Sequence, residues 1–126
     1  MSKPAVLEHS ERVRINPDRL AALCAELGEA GAELVVLRSI EDISARLLDV
    51  QRLAQVSNTA AIIATASCLA EIADDIGMSS LARVAGDVAR SGRAGDGTAL
   101  SATIARLLRI GDRSLMTVWD LQDITV

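Results

Sequence analysis

Apolar residues along this chain recur every three or four positions, the interval that gathers them on one side of an α-helix rather than on alternating faces of a strand. The first such segment opens at Asn16-Pro17-Asp18, which supplies an N-cap, the proline favoured at the first helical position and an acid where the helix dipole welcomes it. It carries Leu20, Leu23, Cys24 and Leu27 inward and stops at Gly28. A longer helix is predicted from about Ala30 to about Val56. Its inward positions are Val36, Leu37, Ile40, Ile43, Leu47, Val50 and Ala54, while Arg38, Glu41, Asp42, Asp49 and Arg52 decorate the remainder. Ser57 or Asn58 caps a third helix, which ends at Gly77. Ser79 and Ser80 start a fourth, with Leu81, Val84, Ala85 and Val88 inward and Gly92 beyond its end. After the glycine-rich turn SGRAGDG, Asp96 or Thr98 opens a fifth, whose stripe is Leu100, Ile104, Leu107, Leu115 and Val118. Gly111 falls inside that stripe and marks a place for a bend or interruption, because a mid-helix glycine costs about 1 kcal/mol against alanine.

No repeat or low-complexity linker divides the pattern. It therefore predicts an all-α fold, several antiparallel helices with short loops in one up-and-down bundle. Residues 1–15 read as a flexible N-terminal segment, 16–120 as the bundle and 121–126 as a fraying tail. Composition supports this class. Half of the 126 residues are apolar, yet the chain has no Phe, no Tyr and one Trp, so Leu, Ile, Val and Ala must fill the core. Such residues suit closely packed helices, and no Asn-Gly or Gly-Gly hairpin turn separates alternating runs. A chain of this length fills one core without needing a staple.

Charge and cysteine usage narrow the chemistry. The net charge of -4 argues against a footprint for nucleic acid or an anionic membrane. MSKPAVLEHSER lacks the apolar core of a signal peptide, and no segment approaches the ~18 apolar residues of a membrane span. Cys24 and Cys68 show neither CxxC nor Cys/His spacing, so neither a metal site nor a disulfide framework is expected, and a reducing cytoplasm is the expected location. SGRAGDG lacks the GK[ST] ending of a phosphate-cradling loop. With no Cys/His pair and no carboxylates paired beside a base, the sequence calls for no cofactor and offers no enzyme site.

The stretch TASCLAEIADDIGM, residues 65–78, carries little charge where a helix should meet water. At about 100° per residue, centring the buried stripe on Leu69 brings Ile62, Thr65, Ala66, Ile72, Ala73 and Ile76 within about 60° of it. Ala60, Ala64, Ser67, Glu71 and Asp74 then face outward, with Ile63 and Ala70 on one shoulder. This outer side is small and apolar at one end and acidic at the other, with Ser67 between.

Several segments together resemble the histidine phosphotransfer (HPt) domains of bacterial two-component relays. VRINPDRLAALCAELG is similar to that family's opening helix, EDISARLLDVQRLAQ to its second, and IGMSSLARVAGDVARSGRAGD to its exit turn and following helix. The likeness spans residues 13–110. It implies an up-and-down antiparallel four-helix bundle with an additional N-terminal helix. HPt domains carry a phosphorylated histidine mid-helix, in a pattern close to His-x-Leu-Lys-Gly, ten residues before a Gly-Leu-type helix end. Counting back from Gly77 puts Ser67 at the histidine. Leu69 is kept, but Ala70 stands in the lysine position and Glu71 in the glycine position.

A serine hydroxyl lacks the nucleophilicity of an imidazole, needs an adjacent base and forms a stable ester. Glu71, one turn along, would repel an incoming phosphoryl group. The only histidine, His9, precedes the first helix and reads as a surface residue. The resemblance thus implies a non-catalytic adaptor or competitor, a signalling protein that binds receiver domains or histidine kinases through Ala60, Ile63, Ala64, Ser67, Ala70, Glu71 and Asp74. A homodimeric scaffold packed through the same small-residue face is the alternative. Bland readings stand beside these: Ser67 as a tolerated small residue on a solvated face, the apolar end of that face as covered by the N-terminal arm, Cys68 as a half-buried small hydrophobe, Trp119 as a closure of the bundle end, and Arg83, Arg90 and Arg93 as a solvated row.

Overall fold

The computed structural model describes the backbone of residues 13–125 and the side chains of residues 13–117. Four helices follow one another: α1 (Pro17–Gln55), α2 (Thr59–Asp75), α3 (Ser79–Arg93) and α4 (Gly97–Thr125). Among the described residues there is no strand. Three residues link each helix to the next. Every helix packs against its chain neighbours, and α4 returns against α1. They enclose one core, built from Ile40, Ile43, Leu47 and Val50 of α1, Ile62, Ala66, Leu69 and Ala73 of α2, Leu81, Val84, Ala85 and Val88 of α3, and Ile104, Leu107 and Ile110 of α4. The spacing rule had placed all of these inward except Ile110. The one buried polar side chain described, Ser114, has its hydroxyl satisfied by donating to the Ile110 carbonyl at 2.7 Å.

The caps explain where helices start. Asn16 accepts from the Asp18 amide at 3.0 Å ahead of Pro17, Asn58 from Ala61 at 3.2 Å, and Asp96 from Ala99 at 3.0 Å. The α3 start differs from expectation. Met78 occupies the cap position without a side-chain bond, because the serines after it are used elsewhere. The Ser80 hydroxyl accepts from the Arg14 amide at 2.7 Å and that of Ser79 donates to the Arg14 carbonyl at 3.1 Å. The Asn16 amide donates to the Gly77 carbonyl at 2.7 Å, and Arg19 Nε to the Asp75 carbonyl at 2.9 Å. Val13 and Ile15 pack against the core. Residues 13–16 are therefore irregular, as expected, but fastened across the α2–α3 turn rather than loose.

Two of the three glycine boundaries move. Gly28 does stop helical geometry, with φ 79° and ψ 167°, a conformation that is essentially glycine's alone. Helical geometry resumes immediately, so Pro17–Gln55 consists of two helical limbs joined at a kink at Gly28. On the first limb Leu20 and Leu23 are half-buried, whereas Cys24 and Leu27 are exposed, since only part of the limb reaches the core. Gly92 lies within α3, buried in its last turn, and the left-handed terminator is Gly95 at φ 71°. Gly111 does not interrupt α4. A Cβ there would sit 2.7 Å from Leu47 Cδ1, so the glycine makes room for α1 to approach. The α4 backbone stays helical to Thr125, past Asp120, where fraying was expected. His9 and the Val118 and Trp119 side chains lie outside the described residues.

Candidate functional site

The outward side of α2 is the strongest candidate surface. Asn58 sets the helix start, and the buried row Ile62, Ala66, Leu69 and Ala73 fixes its rotation. That rotation leaves Ala60, Ala64, Glu71 and Asp74 exposed, whereas Ser67, which the angular reading placed outward with them, is half-buried, as is Ala70. Glu71 and Asp74 border an open groove whose other wall is Ser79, Ala82 and Arg83 of α3. Cys68 is exposed rather than half-buried.

Ile63 departs from the rest of the set. It is half-buried and packs against the core, and a Cβ on Gly92 would meet its Cγ1 at 2.6 Å and its Cδ1 at 3.1 Å. The shoulder residue is therefore turned into α3, where it offers little to a partner. Because a β-branched side chain is stiff at χ1, Gly92→Ala should destabilise by about 1–3 kcal/mol. Adding Ile63→Ala should recover part of that loss, so a double-mutant cycle in urea is expected to give a coupling energy above about 0.5 kcal/mol.

Ser67 has a partner that the sequence did not reveal. Arg93 Nη2, in the last turn of α3, donates to Ser67 Oγ at 3.1 Å. Among the described residues this is the hydroxyl's hydrogen bond, and no carboxylate or imidazole accepts its proton. A guanidinium offers donors and no acceptor, so Arg93 orients the oxygen without taking its proton. Arg93 had been placed in a solvated row with Arg83 and Arg90. The other two behave differently from it: Arg90 pairs with Asp87, which also lies 3.8 Å from Arg106, and Arg83 walls the groove. The available signal was Gly92 beside Arg93, because a glycine in the last turn of a helix otherwise rich in inward apolar residues marks where a neighbouring helix comes close.

Among the described residues no three carboxylate, thiol or imidazole groups gather to hold a metal ion, and no helix is long and apolar enough to cross a membrane. Both cysteines are free. The surface thus presents small side chains at one end, a hydroxyl held by a cation at its midpoint and two acids at the other. No family model, curated protein or solved structure matches the chain.

Proposed function

We propose that this chain is a degenerate member of the HPt type: an up-and-down antiparallel bundle that docks receiver domains or histidine kinases of a bacterial phosphorelay in the cytoplasm without carrying phosphate. The observation that carries the reading is Ser67, at the middle of the outward side of α2, with its oxygen engaged by Arg93 and its flanks kept low by Ala60, Ala64 and Ala70. Small residues let another helix or loop approach closely, and the acids Glu71 and Asp74 give the surface a polarity that orients what lands on it. Ile63, packed on Gly92, supports the surface from beneath, so its replacement by lysine tests the packing of α2 on α3 rather than an interface.

Phosphate transfer and binding can be separated experimentally. Incubated with a phosphorylated receiver or an active kinase, the chain is expected to take up no acid-labile phosphate. Uptake that survives loss of His9 but vanishes in Ser67→Ala would overturn the inactive reading. In calorimetric titration against a purified receiver domain, Ala64→Arg is expected to weaken binding by about tenfold or more while circular dichroism stays unchanged. Absence of binding by receivers and kinases alike at about 100 μM removes the docking role.

A further inference from the structure

The side of α1 that faces away from the core carries residues that the periodicity reading passed over. Leu34 is 50% and Leu48 52% exposed. Measured around the helix at about 100° per residue, Leu34, Glu41, Ala45, Leu48 and Arg52 fall within about 30° of a common direction, which lies roughly 140° around the helix from Ile40, Ile43 and Leu47. All five are exposed. Neither Glu41 nor Arg52 has an ion-pair partner among the described residues, whereas on the flank Arg46 Nε donates to Asp42 at 2.8 Å.

The spacing of this row is the same read forwards or backwards. Glu41, Ala45, Leu48 and Arg52 follow at intervals of four, three and four, with opposite charges at the two ends and a large and a small apolar residue between. A helix laid antiparallel on an identical helix brings each position against its mirror in the row. Glu41 of one copy then meets Arg52 of the other, and Leu48 meets Ala45, twice over by symmetry. Alternating intervals of three and four are those of a coiled-coil seam, in which a bulky side chain enters the space beside a small one. A two-fold interface requires this reciprocity, residue i on j and j on i. The self-complementary charges choose the occupant: a partner of unrelated sequence has no reason to match them, and a second copy matches by construction.

We propose that a second copy of this chain docks on the outward face of α1, as an antiparallel two-fold pair. The interface is small, so the dimer is weak and concentration-dependent. One like-charge approach, Asp42 towards Asp49 of the second copy, is softened by the Asp42–Arg46 pair and weakens the dimer further. The pairing is independent of the docking role of α2, whose outward residues it does not use.

Sedimentation equilibrium of the full chain tests this. At about 100 μM the wild type is expected to show a substantial dimer fraction. Glu41→Arg and Arg52→Glu should each weaken dimerisation by about tenfold, since each sets like charges opposite one another, and the double swap should restore it. Restoration cannot arise from misfolding of the single variants. Leu48→Asp should give a monomer with an unchanged helical spectrum. A wild type that stays monomeric at that concentration overturns the proposal, as does a dimer indifferent to all four variants. A dimer lost in Ala64→Arg but kept in Leu48→Asp would place the contact on α2 and overturn it equally.

Discussion

Gly77→Ala is expected to lower stability by about 3 kcal/mol, or roughly 10 °C in Tm, although it adds a single methyl group. Two costs combine. Gly77 sits at φ 81°, where an L side chain costs about 1–2 kcal/mol. An added Cβ would also lie 2.7 Å from the Asn16 carbonyl oxygen and 3.3 Å from Arg19 Cβ. The first of these is backbone and cannot rotate away, so the strap at residues 13–16 must shift, with a further loss of about 1–3 kcal/mol. Gly95 provides the control. It has φ 71° but nothing within 4 Å of the same atom, so Gly95→Ala should cost only the conformational part, about 1–2 kcal/mol. Urea melts of the two variants give the difference directly. Equal losses would mean that the contact with Asn16 contributes nothing.

Leu69→Ala is the second large effect, expected to cost about 2–5 kcal/mol. Leu69 is fully buried, surrounded by residues of the core, and its neighbours are too well fixed to fill the void completely. Two positions earlier, Ser67→Ala should cost less than about 1 kcal/mol, because the bond to Arg93 is exposed to water that can replace it. The ratio of these two losses measures the rotation of α2 in solution. Comparable losses would mean that Ser67 is inside, and the proposed docking face would go with it.

The helical stripes were legible because burial obeys spacing. Ile40, Ile43, Leu47 and Val50 lie on one side of any helix drawn through them, whatever packs against it. The positions misread were those whose role depends on a second segment. Gly92 and Gly111 look like helix breakers in isolation, yet each is the floor on which a side chain rests, Ile63 in one case and Leu47 in the other. Ser79 and Ser80 look like caps, but their hydroxyls answer to Arg14, more than sixty residues earlier. Cys24 and Leu27 share the period of the inward residues and are nevertheless exposed, because the break at Gly28 changes what their limb can reach. At the candidate site, angles within α2 alone put Ser67 outward with Ala60, Ala64, Glu71 and Asp74, but it is half-buried where those four are exposed. The guanidinium that meets it follows only from the way α2 and α3 lie together.

The bonds between residues 14–19 and 75–80 close the chain into a ring made of α1 and α2 themselves. Closing so long a ring is a cost that grows only slowly with length, so a few hydrogen bonds aided by Val13 and Ile15 suffice. Mechanically, a pull on the backbone ahead of Arg14 meets first the bonds to Ser79 and Ser80 at the start of α3, before it reaches the first turn of α1.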